Sequence, residues 1–182
     1  MNIQHEWQIR SAKITGKGTV DVTFTQDNEV DGLVANKEYK FKCDRVAHTA
    51  LYYAFKNLLA HAMIIGERIP SGHKIDAGYF KSEQIHRDPK FLMYEITGFK
   101  LKGDDKGETI SLSINQILHD GGTIKMELPF VKLYEGSSYD FSGNLKEDLE
   151  MAQQEVMDYI GGKYRESQQM KIDYDTVEDE AF

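Results

Sequence analysis

Apolar and polar residues alternate at period two in the first part of the chain. Val20, Val22 and Phe24 are interleaved with Asp21, Thr23 and Thr25, the pattern of a strand with one buried face. Trp7 to Ile14 is its expected partner. Gly16-Lys17-Gly18 between them predicts a hairpin turn, since glycine tolerates positive φ. A third run, Lys37 to Cys43, puts Tyr39, Phe41 and Cys43 on one face and Glu38, Lys40 and Lys42 on the other. The period then lengthens. Ala47, Ala50, Leu51, Ala54, Phe55, Leu58 and Ala62 form a helical stripe, predicting a helix from about Arg45 to Ile64 with Asp44 as N-cap and Gly66 as its stop. Residues 66–90 sustain no period and hold Pro70, Pro89, Gly66, Gly72 and Gly78, so a long loop is expected there.

Strand character resumes from Phe91 to Lys102. After a turn at residues 103–107, Ile110, Leu112 and Ile114 alternate with Ser111, Ser113 and Asn115. After Asp120-Gly121-Gly122, the residues Ile124, Met126, Leu128 and Phe130 alternate again. A second helix is predicted from near Asn144, carried by Leu145, Leu149, Ala152, Val156 and Tyr159, with Gly161-Gly162 at its end. The expected class is α+β, mainly antiparallel β, with one long helix between strands 3 and 4 and a C-terminal helix. The expected division is a β-rich domain over 1–134, a helical segment over 135–163 packed on it, and a flexible acidic tail over 164–182.

Charge separates along the same lines. Residues 1–134 carry 18 Lys and Arg against 17 Asp and Glu, whereas residues 135–182 carry 4 against 13. The overall net charge of −8 therefore belongs to the C-terminal quarter, and a near-neutral body with a detached acidic segment is a hint of nucleic-acid work or of an interaction tail. From Asp173 to Phe182 five residues are acidic and none is basic. Such a segment cannot offset its ordering entropy by burial. Asp173, Asp175, Glu178, Asp179, Glu180 and Phe182 are the candidate partner-binding residues, the ring suiting a pocket and the carboxylates suiting basic side chains. A purely solubilising tail is the alternative. No run approaches the ~18 apolar residues of a membrane span, and the first residues lack a basic start followed by an apolar run, so neither a membrane nor a secretion signal is expected. Cys43 is the sole cysteine, which leaves no disulfide within the chain and makes a reducing cytoplasm the expected compartment.

Catalytic patterns are weak. None of His5, His48, His61, His73, His86 and His119 is spaced as a local metal site. Cys43 lies on an apolar strand face and is expected as a structural thiol. Gly16-Lys17-Gly18 lacks the length of a phosphate-binding loop. No enzyme, cofactor or metal is expected, although a site assembled from the 66–90 loop, His86 and His119 is an alternative. Nucleic-acid binding has more support, because sequence-tolerant binders of single strands combine basic grooves with aromatic platforms on a small sheet. The candidates are Trp7, Arg10, Lys13, Lys17, Tyr39, Lys40, Lys42, Lys100 and Lys102. Strand aromatics are more often core, which is the competing reading for Trp7 and Tyr39.

The tip Glu178-Asp179-Glu180-Ala181-Phe182 resembles the acidic C-terminal tip of bacterial and T7-type phage single-stranded-DNA-binding proteins, in which an acidic run ends on Phe. The resemblance implies single-stranded DNA as ligand, replication and recombination proteins as partners of the tail, a tail that competes with DNA for the binding surface, and a bacterial or phage-infected cytoplasm. The order of elements from Trp7 to Ile114 is compatible with the OB-fold barrel of those families. It is also compatible with another small α+β sheet, such as a clamp-like unit. Ala181 stands where bacterial tips place Pro, and a helix replaces their Gly-, Gln- and Pro-rich linker, so a phage-type relative fits better. Gln169 to Tyr174 loosely resembles a sliding-clamp docking peptide, which fits the rival function of a protein-binding adaptor. A homo-oligomer is compatible with all of this.

Overall fold

A computed structural model describes residues 7–30, 33–69, 89, 91–103, 107–134 and 137–165. Its strands are β1 (Trp7–Ile14), β2 (Val20–Val30), β3 (Leu33–Phe41), β4 (Tyr94–Lys102), β5 (Thr109–Ile117), β6 (Thr123–Glu127) and β7 (Val131–Lys132); its helices are α1 (Thr49–Ile65) and α2 (Ser142–Ile160). All strand pairings are antiparallel, in the order β3-β2-β1-β4-β5-β6, with β7 also on β5. The α+β class, the mainly antiparallel sheet and the helix between the third and fourth strands are thus present. The barrel expected with them is not: among the described residues the sheet stays open. The second edge of β5 is occupied by β6 at Ser113–Ile117 and by β7 at Thr109–Ile110, which leaves no edge there for β3 to close upon. No helix among the described residues is long and apolar enough to cross a membrane.

Two helices cover one face of the sheet. Ile9, Ala12, Val20, Val22, Phe99 and Leu101 point into this layer and form one core with Leu51, Phe55 and Leu58 of α1 and Leu145, Leu149 and Val156 of α2. Tyr159 joins α2 to the first strands: its hydroxyl donates to Arg45 O at 2.7 Å and accepts from Val20 N at 3.4 Å, and burial pushes its pKa up to about 12.

Local departures from the sequence pattern have local causes. The expected N-cap Asp44 is exposed, and His48 caps α1 instead by accepting from Ala50 N at 3.2 Å. The three residues between are drawn into extended contacts, since Ala47 N donates to Gly18 O at 2.9 Å and Ala47 bridges Tyr164. The run from Ile124 to Phe130 is not one strand. Pro129 has no N–H to continue the ladder, so β6 stops at Glu127 and pairing with β5 resumes in β7; Ser111 Oγ spans the gap by donating to Leu128 O at 2.6 Å. Gly66 closes α1 and Gly161 closes α2 as their positions suggested. Gly18 takes φ +78° in the β1–β2 turn, with Tyr52 Oη donating to its carbonyl at 3.1 Å.

His61 of α1 is fully buried and ties α1 to the chain around α2. Tyr139 Oη lies 2.7 Å from Nδ1, and Asp148 Oδ2 lies 3.1 Å from Nε2. The neutral tautomer protonated at Nε2 satisfies all three groups, because Tyr139 then donates to Nδ1 and Nε2–H donates to the carboxylate. Burial holds the His61 pKa below its ordinary value, and Asp148 opposes this without reversing it. Below about pH 6.5 the unfolded chain therefore binds a proton that the folded state resists. The stabilisation is complete above that pH and is lost as pH falls toward the lower folded-state value. The melting temperature of the wild type should thus fall more steeply than that of His61→Gln between about pH 7 and pH 5.5. Parallel slopes in circular-dichroism melts would exclude His61 as the cause.

Candidate nucleic-acid interface

The outer face of the sheet, opposite the helices, gathers most of the candidate cations. Strict alternation in β2 and β3 puts Asp21, Thr23, Thr25, Glu38 and Lys40 there, with Lys42 just beyond β3. A bulge between Ile9 and Ser11 then sets the phase of β1. Lys100, Ser11, Thr23 and Lys40 are successive cross-strand partners over β4, β1, β2 and β3. Lys102, Thr109 and Lys132 form a second row over β4, β5 and β7. At ~4.8 Å between strands, the face from β3 to β7 is roughly 24 Å wide.

Arg10 sits in the bulge and is fixed on this face, donating from Nε to Thr25 Oγ1 at 3.1 Å and from Nη1 to Gly103 O at 2.8 Å. Lys13, Lys100 and Lys102 are exposed, and none has a carboxylate within ion-pair distance among the described residues. Lys42 is 3.8 Å from Asp21 and Lys40 is 3.9 Å from Glu38. Such exposed pairs are worth at most about 1 kcal/mol and leave both lysines available. Lys17 lies apart in the β1–β2 turn. The face also presents Phe130, 40 % exposed with Lys102 Nζ 4.2 Å from its ring centre, and Tyr134 with Lys132 Nζ at 5.4 Å. The sequence pattern hid Phe130, Lys132 and Tyr134. The one usable signal was Pro129, which breaks the alternation that assigned Phe130 to the core.

Trp7 and Tyr39 are on the other face. With Phe24 they make an aromatic cluster, with ring centres 4.8 to 5.6 Å apart, at the end of the helix-side face, and Lys37 Nζ lies 5.1 Å from the Tyr39 ring centre. Trp7 remains 45 % exposed, so the helices do not fully cover this end. The aromatics and the lysines proposed as one site are therefore divided between two faces.

β1 and β4 pair only at Ser11–Lys100, Ala12–Phe99 and Lys13–Gly98. Beyond Lys13 the β1–β2 hairpin parts from β4 and the sheet forks. The fork holds a cleft of about 620 Å³ whose walls include Lys13, Asp21, Ser113, Asn115, Lys125 and Glu127. A neighbouring cleft of about 500 Å³ extends past Gly16 and Lys17 to Tyr52 and Arg165. Arg165 is held there by its N–H donating to Val46 O at 2.9 Å.

The catalytic alternative gains little geometry. His119 is exposed in the β5–β6 turn, while His73, His86 and the loop segment 70–88 lie outside the described residues. Among the described residues no three His, Cys, Asp or Glu side chains converge as metal ligands. Cys43 is half-buried at the margin of the core and accepts from Arg45 N at 3.4 Å, a contact that holds its pKa below the ordinary thiol value. The tail candidates Asp173, Asp175, Glu178, Asp179, Glu180 and Phe182 also lie outside the described residues. No protein-family model matches this chain, and no significant match to it exists among curated proteins or solved structures.

Proposed function

We propose that this chain is a non-enzymatic, sequence-tolerant single-stranded-DNA-binding protein of phage-type replication or recombination, working in the cytoplasm of a bacterial or phage-infected cell. The observation that carries this is the exposed outer face, where Arg10, Lys13, Lys40, Lys42, Lys100, Lys102 and Lys132 spread over a surface roughly 24 Å wide. Hydroxyls of Ser11 and Thr23 lie between the cations as neutral donors to phosphate, and Phe130 and Tyr134 offer rings for stacking. The pairings β1–β2, β2–β3, β1–β4 and β4–β5, with α1 between β3 and β4, fit an OB unit left open on one side.

The tail would compete for this face and recruit replication or recombination partners. Arg165, the last described residue before the tail, lines the cleft beside the fork.

A gel shift with oligo-dT at low salt tests the proposal. The full chain should bind, with affinity falling as salt rises by a slope of ~0.7 per neutralised phosphate. A chain ending before Asp173 should bind more tightly. Absence of binding by both proteins rejects the proposal and favours the adaptor, for which the half-exposed Trp7, Phe24 and Tyr39 cluster is the observed surface.

A further inference from the structure

Building on the outer face as the DNA surface, we infer that the cleft at the strand fork is a base-reading subsite. It takes one nucleobase of the bound strand and hydrogen-bonds the base edge through the Asn115 amide and the Ser113 hydroxyl.

Position favours this. Lys13 belongs both to the phosphate-facing surface and to the cleft wall, so a backbone held over β1 and β4 brings a base to the cleft mouth. The volume, about 620 Å³, lies within the range of small-ligand sites.

The chemistry of the walls favours a base over a phosphate. Asn115 and Ser113 are half-buried, and neither side chain has a hydrogen-bond partner among the described residues. The amide offers two donors and an acceptor side by side, and the hydroxyl offers one of each, the mixture that a base edge presents in complement. Thr97 is already engaged, its hydroxyl donating to Ser113 O at 3.2 Å. Asp21 and Glu127 balance Lys13 and Lys125 around the opening, so a dianionic group would meet as many carboxylates as cations. Half-buried Ile14 and Met126 at the cleft margin supply apolar surface for the flat faces of a ring.

Stacking on Phe130 and Tyr134 gives some homopolymer preference by itself, so the part of the preference that depends on Asn115 is what reports the subsite. Fluorescence anisotropy of the full chain with dA12, dT12 and dC12 at one salt concentration should show a spread of about five-fold or more, the lower bound for one good base contact. Asn115→Leu should reduce the spread to about two-fold or less while the slope of log affinity against log salt stays unchanged, since no phosphate contact is removed. The isosteric Asn115→Asp keeps shape and loses the amide donors, so it should change the order of preference; it decides the matter if the Leu variant fails to fold. A wild-type spread within about two-fold, or an unaltered spread or order in the variants, would overturn the subsite while leaving DNA binding intact. No binding to any of the three strands would overturn the functional proposal and the subsite with it.

Discussion

Replacing Lys13, Lys100 and Lys102 together by Glu should lower oligo-dT affinity by about two to three orders of magnitude at about 50 mM salt. The size follows from counterion release. With a slope of ~0.7 per phosphate on a single strand, each contact is worth about 0.9 decades at that salt, or close to eight-fold. Three lost contacts give on the order of 500-fold, and repulsion from the new carboxylates adds to it. The salt slope should fall by about two. These three lysines are the sharpest probes because none is engaged in an ion pair among the described residues, so their removal orphans no acid. Lys146, exposed on α2, is the control. If Lys146→Glu costs as much per charge as the outer-face variant, binding follows net charge alone and the outer face is not the site.

Gly98→Ala should be the most damaging single methyl in the sheet. A Cβ at Gly98 would sit 2.5 Å from Ala12 O and 3.1 Å from Lys13 Cα, both backbone atoms with no rotamer to yield. The clash falls on one of the three pairs that join β1 to β4. Overpacking of this kind costs typically 1–3 kcal/mol, and the rigid neighbours place it at about 3. For a chain of this size that is a fall in melting temperature of roughly 6–12 °C. The contrasting substitution is Gly16→Ala, where an added Cβ meets nothing within 4 Å. Equal melting temperatures for Gly98→Ala and the wild type would show that the seam opens without cost.

The strands and helices were legible wherever the pattern was long and its contrast strong. The stripe from Ala47 to Ala62 identified α1 because helical spacing of seven apolar residues rarely arises otherwise. Its first turn was misread because Ala47 is held by Gly18 and Tyr164, partners distant in sequence. The Arg10 bulge was invisible, since Ser11 and Ala12 are both small and give no contrast on which to read a change of phase. Alternation in Lys37 to Cys43 already separated Tyr39 from Lys40 and Lys42. Treating them as one site ignored that separation, and the two faces of the sheet enforce it. Phe130, Lys132 and Tyr134 escaped notice because β7 returns to β5 after a break, a pairing that no local pattern encodes. Barrel closure depends on which strand claims the second edge of β5, which is likewise a non-local outcome.

The narrow join between β1 and β4 also bears on how the chain reaches its native state. β1, β2 and β3 are connected by short turns and can pair early at little entropic cost. The join instead brings Ser11 to Lys100, across about half of the chain, and must close a long loop for three pairs of contacts. Two separately nucleated halves, docking late across a seam lined by Ala12 and Phe99, are the expected course of folding. Amide exchange at those positions should then report the slow step, with the outer lysine-bearing face becoming continuous only when that step is complete.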